Sequence, residues 1–253
     1  MPTLDRHGIS IVYQVHGPSL RTPLLLTHGY SATSAMWEAN VAALSAAREV
    51  VTWDLRGHGH SDSPDDGAAY SRATAVGDMA AILDDCGLSR AVVGGLSLGG
   101  YLSLAFHLRH PERVAGLVLC DTGPGFARDE PRSQWNTWAE ATADAFEQTG
   151  LEALAGGPET MTGPHNPTGL ALAARGMLRQ DDAAVIESLP SIAVPTLVVV
   201  GAEDRPFLRS ADYLAAKIPG ARKAVIRRAG HVPNVENPSD FNDVVRAFLD
   251  EVG

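Results

Sequence analysis

The sequence predicts an α/β fold: a mostly parallel twisted sheet, helices on both of its faces, and one helical insertion. Three observations carry this. Strand-length apolar runs alternate with helical patterns along most of the chain. Most of those runs are apolar throughout, as strands covered on both faces must be. From about residue 122 to about residue 190 the alternation stops and only helical patterns remain. Parallel neighbours need crossovers lying over the sheet, which puts helices on both faces. In such sheets the chemistry gathers at the carboxyl ends of the strands.

Taken in order, residues 9–15 alternate and read as an antiparallel edge strand. Residues 23–27 are a buried strand ending at His28-Gly29-Tyr30. Residues 36–47 have a helix pattern with Trp37, Val41 and Leu44 on one face. Residues 49–53 are the next strand, followed by a turn-rich loop over 56–64. Residues 71–86 read as a helix stopped by Gly87. Residues 91–94 lead as a strand into a glycine-rich turn, and a helix follows to His110-Pro111. Residues 114–119 are another buried strand with Asp121 at its tip. The insertion holds helical segments at 133–148, 151–155 and 169–179. Strands then return at 195–200 and 223–226, with helices at 207–218 and 239–252, the last capped by Ser239.

The chain has 253 residues, 45% of them hydrophobic, enough for the core of one large α/β unit. Its formal net charge of −10 opposes sequence-independent nucleic-acid binding, which needs a basic stripe, and opposes docking on anionic membranes. Cys86 and Cys120 read as reduced thiols, and no Cys/His cluster has zinc spacing. The first residues show no basic stretch before an apolar run, and no run is long enough to span a bilayer. The expectation is a cytoplasmic protein with a small-molecule partner; oligomeric state is left open.

Gly95-Leu96-Ser97-Leu98-Gly99 is a G-x-S-x-G pentapeptide between a strand and a helix. That context makes a nucleophile elbow: glycines relieve crowding around a strained serine held at a helix N-terminus. A serine hydroxyl needs a base, and the base needs an acid to orient it. His231, in Gly230-His231-Val232-Pro233, follows the last strand. Asp204, in Gly201-Ala202-Glu203-Asp204, follows the strand before it, with Asp121 as the reserve acid. The turn over residues 54–60 places His58 and His60 two apart with no third ligand in sight. It reads as a turn with positive φ, its Arg56 bonded locally, and His28 reads as a strand-end residue orienting its loop.

With Ser97, Asp204 and His231 in this order, the sequence resembles the α/β-hydrolase family across nearly its whole length. Further matching pieces are His28-Gly29, Asp54-x-Arg56-Gly57-x-Gly59-x-Ser61, Pro111-Glu112-Arg113-Val114, and the run from Gly230-His231-x-Pro233 to Glu236-x-Pro238. The resemblance implies the α/β-hydrolase fold, with a core over 1–122 and 191–253. It implies a small helical cap over 123–190, inserted after the sixth strand of that fold. It also implies an oxyanion hole from the backbone N–H groups of Tyr30 and Leu98, and a cofactor-independent serine hydrolase with no metal. Within the family, Gly95 to Gly100 and Ala35-Met36-Trp37 look most like the 3-oxoadipate enol-lactonase and small carboxylesterase branch. Tyr101 stands where the menaquinone-pathway lyases of this fold carry arginine, and Leu96 where C–C hydrolases carry asparagine.

The implied activity is cleavage of a carboxylic ester or lactone through an acyl-enzyme on Ser97. C–C hydrolysis, perhydrolysis and a non-catalytic receptor remain as alternatives. The expected substrate contacts are Tyr30, Trp135, Trp138, Met161 and Val232, with Phe126, Phe146, His165 and Met177 as further cap candidates. Arg128, Arg132, Arg175 and Arg179 are candidates to hold a substrate carboxylate.

Overall fold

The computed structural model of the chain describes residues 1–155, 157 and 163–253. In chain order the elements are β1 (Thr3–Asp5), β2 (Ser10–His16), β3 (Leu24–Thr27), α1 (Glu38–Leu44), β4 (Val50–Trp53), α2 (Arg72–Asp85), β5 (Ala91–Leu96), α3 (Leu98–Arg109) and β6 (Val114–Cys120). Then come α4 (Asp129–Thr149), α5 (Pro167–Ala173), α6 (Ala184–Ser188), β7 (Thr196–Gly201), α7 (Arg205–Lys217), β8 (Arg222–Ile226), α8 (Pro233–Glu236) and α9 (Pro238–Val252).

One sheet holds the strands in the order β1-β2-β4-β3-β5-β6-β7-β8. β2 runs antiparallel to both β1 and β4, and every other pairing is parallel. Strands β3 to β7 are buried at every residue, as their unbroken apolar runs predict. From β3 the chain builds outward to β4 on one side, and from β5 it builds to β8 on the other. The β3/β5 boundary is therefore the topological switch point, where a crevice opens at the strand ends. Thr27 pairs with Gly95 there, so the loops after both strands start side by side.

The edge differs from the sequence reading. β1 pairs outside β2, so Ile11, Val12 and Tyr13 are all buried and β2 is not the edge. Three half-exposed residues are too few to show a period. The other edge is β8, where exposed Arg222 and Lys223 discourage further pairing.

Two apolar layers flank the sheet. Met79, Ile82, Leu102 and Phe106 lie in one, and Trp37, Leu44, Phe241 and Phe248 in the other. Each such buried side chain contributes about 1.5–3 kcal/mol. Ser71 caps α2 by accepting the Thr74 N–H at 2.9 Å. The closing helix is capped by Asn237, not Ser239: the Asn237 side chain accepts from Asp240 N–H, and Pro238 takes the first helical position.

Among the described residues no strand interrupts the stretch between β6 and β7. α4, α5 and α6 fill it, and α5 runs on into a π-helical turn over Ala174–Leu178. α6 was not anticipated; five residues carry too little pattern. A lone antiparallel bridge joins His165 to His58. Among the described residues no helix is long and apolar enough to cross a membrane. Cys86 and Cys120 are not joined in a disulfide.

Candidate active site

Ser97 sits between β5 and α3 with φ 53° and ψ −113°, a left-handed conformation that a serine adopts only under constraint. The constraint is packing. A Cβ on Gly95 would lie 2.4 Å from the Thr27 carbonyl oxygen, and one on Gly99 2.2 Å from the same oxygen. Only glycine allows β3 and the elbow to meet so closely. Thr122 Oγ1 donates to the Ser97 carbonyl at 2.6 Å and ties the elbow to the end of β6.

β7 and β8 deliver the acid and the base. His231 Nδ1 donates to Asp204 Oδ2 at 2.6 Å. Their side chains are only 13% and 6% exposed, so little water competes for this bond. Burial alone would raise the Asp204 pKa. The hydrogen bonds from His231 and Asp121 outweigh it and hold Asp204 below the usual carboxylate range. Asp121 lies beside Asp204 and receives the Gly201 N–H at 3.0 Å. Asp204, not Asp121, is therefore the acid bonded to the imidazole. Asp121, Asp204 and His231 also bring metal-ligand-type atoms within 4.8 Å of one another. The His231–Asp204 bond already gives these groups an acid–base arrangement.

Beside the elbow runs the loop after β3. Leu98 N–H opens α3, where helix geometry supplies no intrahelical acceptor. Two buried imidazoles hold the loop that carries Tyr30. His28 Nδ1 donates to Gly29 O at 2.6 Å, and its Nε2 accepts Leu55 N–H at 3.0 Å. His58 Nδ1 donates to Arg56 O at 3.0 Å, and its Nε2 accepts Ser31 N–H at 3.2 Å. Each ring uses one nitrogen as donor and one as acceptor, which requires the neutral form. Burial lowers the pKa of both, that of His58 to about 3. Arg56 bonds locally as expected, in a bidentate pair with buried Asp78 at 2.6 and 2.8 Å.

A cavity of about 830 Å³ opens over these groups. Ser97, Leu98, Tyr30, Asp204 and His231 all border it. Trp135 and Trp138 form an aromatic wall with ring centroids 4.6 Å apart, and Phe126 and Phe146 also line the space. Other expectations do not hold. Val232 is buried in the apolar layer shared with Trp37 and Phe241, because the residue after His231 turns away from the cavity. Met177 is core, and His165 is tied to His58; neither lines the space. Met161 lies outside the described residues.

The arginine expectation also fails. Arg175 faces away and pairs with Glu140, Asp144 and Glu147. Arg132 pairs with Asp129, Arg179 with Asp181, and Arg128 is exposed. No Arg or Lys borders the cavity among the described residues. Two arginines touch lining residues: Arg72 donates to Tyr101 Oη at 3.2 Å and is taken up by Asp182 at 2.7 and 2.9 Å, and Arg132 donates to the Phe126 carbonyl at 3.1 Å. Sequence reasoning missed Thr122, Phe207 and Gln180 as lining residues. Thr122 lies two residues past the end of β6 and could have been flagged on that ground, whereas Phe207 lies in the first turn of α7. The Phe207 ring lies 4.7 Å from that of His231.

A sequence model described as the alpha/beta hydrolase family matches residues 24–244. The chain belongs to the alpha/beta hydrolase family. A Bacillus subtilis relative, provisionally named 2-succinyl-6-hydroxy-2,4-cyclohexadiene-1-carboxylate synthase, is 28% identical over 97% of this chain and 96% of its own. The 3-oxoadipate enol-lactonase 1 of Acinetobacter baylyi is 26% identical over 98% and 96%. Among solved structures, a thermophilic esterase from Thermogutta terrifontis superposes with a TM-score of 0.84 at 28% identity, covering 99% of this chain and 97% of that one. The general class of this family member is thus a hydrolase-fold enzyme, and its relatives divide over which bond is broken.

Proposed function

We propose that this member of the alpha/beta hydrolase family is a cofactor-independent serine hydrolase of uncharged carboxylic esters or lactones. Ser97 is the nucleophile, His231 the base, and Asp204 the acid that orients and charge-compensates His231. Attack forms the Ser97 Oγ–carbonyl carbon bond as His231 Nε2 takes the hydroxyl proton. The oxyanion rests against the backbone N–H groups of Leu98 and Tyr30, donors that need no reorganisation. His231 then protonates the departing alkoxide, and a water deprotonated by His231 releases the acid from Ser97. The helical stretch over 123–190 acts as the cap, and Tyr30, Trp135 and Trp138 contact substrate.

The observation that carries the substrate class is the cavity wall. It joins Ser97 to His231, is lined by aromatic rings, and has no cation among the described residues. The product named for the Bacillus subtilis relative bears two carboxylates, and 3-oxoadipate is a diacid. A buried carboxylate needs a paired cation. Neither diacid suits this cavity, which favours the esterase likeness. A panel of p-nitrophenyl esters of increasing chain length, run beside neutral lactones and a carboxylate-bearing lactone, tests the reading. Turnover of the neutral compounds with the anionic one disfavoured by at least about tenfold in kcat/KM is expected. Preference for the anionic lactone, or turnover of none, contradicts it.

A further inference from the structure

Asp121, Asp204 and His231 follow three adjacent strands, β6, β7 and β8. Asp121 is 1% exposed and Asp204 6% exposed. A carboxylate oxygen of each lies within 4.8 Å of one on the other. Two carboxyl oxygens can bond only when one of them carries a proton. Asp204 already accepts from His231 Nδ1 at 2.6 Å and is stabilised as an anion. Asp121 accepts one backbone N–H, from Gly201, and a weak thiol contact from Cys120 at 3.4 Å. The proton therefore belongs on Asp121. Its backbone supports a demanding role, since φ is 41° at a residue that is not glycine.

We propose that Asp121 is a positioning residue, a neutral carboxylic acid that donates a hydrogen bond to Asp204 and locks that carboxylate onto His231. Burial pushes the Asp121 carboxyl up to about 8, and the bond to Asp204 and its charge push the same way, against the Gly201 N–H and His231. The titratable groups facing Asp121 are Asp204, His231 and the Cys120 thiol. When Asp121 ionises in the alkaline range, its donor bond becomes repulsion between two carboxylates and Asp204 loses its support. Turnover then falls on the alkaline side.

This inference rests on the Ser97–His231–Asp204 reading, so its test carries separate controls. The experiment measures kcat and KM on a p-nitrophenyl ester from about pH 6 to about pH 10 for the wild type, Asp121→Asn and Asp121→Gly. Glycine accepts the left-handed backbone but removes the carboxyl; asparagine accepts it and keeps an N–H donor that does not titrate. Asp121→Gly is expected to lose kcat by about tenfold or more with KM little changed, and Asp121→Asn to recover most of that loss. The alkaline fall of the wild type should be absent from Asp121→Asn. Superimposable alkaline limbs in the wild type and Asp121→Asn, or wild-type kcat in Asp121→Gly, would overturn the proposal. Infrared difference spectra between the wild type and Asp121→Asn supply a readout independent of activity. A protonated-carboxyl band at neutral pH that vanishes under alkaline conditions is expected, and its absence overturns the proposal even if the variants fold poorly. If that band is present while the wild type neither hydrolyses esters nor reacts with a fluorophosphonate at Ser97, the hydrolase reading fails and the shared proton stands.

Discussion

The loops at the strand ends and the helices between β6 and β7 face one another across the same cavity, but they are fixed in different ways. At the strand ends, backbone packing sets the position of each chemical group. Ser97 is pinned by glycines whose Cβ atoms would strike β3, and the Tyr30 loop is held by two neutral imidazoles bonded to backbone. In the helical stretch, surface side chains face water and pair among themselves, as Arg175 does with three acids of α4. The first region has little freedom to vary without losing the site. The second can change its inward face and leave the chemistry intact, which is how one fold serves different substrates.

The largest effect expected from breaking this contrast is at Ser97. On the proposed mechanism, Ser97→Ala should lower kcat on a responsive ester by about 10⁴-fold or more with the melting temperature preserved, since that mechanism uses the hydroxyl for chemistry rather than packing. Steady-state kinetics with calorimetry separates the two.

Next comes a pair of glycines. Gly99→Ala forces its Cβ to within 2.2 Å of Thr27 O and 2.7 Å of His28 O, both backbone. A stability loss of about 1–3 kcal/mol is expected in urea titration, together with lost activity as the loop after β3 shifts. Gly150, at the end of α4, has φ +60° but nothing within 4 Å of such a Cβ. Gly150→Ala should show only the strain of the left-handed backbone, about 1–2 kcal/mol, and keep its activity.

A pH titration of stability probes the imidazole that holds the loop. Burial lowers His58 from 6.5 to about 3, so the unfolded chain takes up the proton first as pH falls. The contribution is complete above the unfolded value and is lost as pH drops from about 6.5 towards about 3. Urea midpoints should therefore fall over that window in the wild type, and His58→Gln should flatten the slope. An unchanged slope would show that His58 is not held neutral.

Smallest of all is Arg175→Ala. Its three acidic partners are about half exposed, and water screens such surface pairs so that they add little to stability. Neutral and anionic substrates should be affected alike, within about twofold. A selective loss for the anionic ones would return Arg175 to the binding site.

The same contrast explains what the sequence made legible. Buried parallel strands announce themselves as apolar runs, and glycine or proline marks the loops after them. The sheet, and the places of Ser97, Asp204 and His231 at strand ends, follow from that. β1 escaped because three residues cannot display alternation. Val232 was misplaced because adjacent loop residues point in opposite directions. The arginines were misjudged for a subtler reason. Helical spacing puts Glu140, Asp144 and Glu147 on one face, but the face turned to the cavity is decided by packing against α5, which spacing alone does not contain. Asp121 was readable as a strand-tip acid. Its place beside Asp204 depended on the pairing of β6 with β7, visible only in the fold.

The claim beneath all of this is that the elbow serine is activated by the imidazole across the cavity. Incubation with a fluorophosphonate near neutral pH, followed by peptide mass spectrometry, tests it directly on the wild type and His231→Ala. A single adduct on Ser97 in the wild type, slowed by about 10³-fold or more in His231→Ala, is the predicted result. An unmodified Ser97 in the folded wild-type protein, or equal labelling in both proteins, would contradict it.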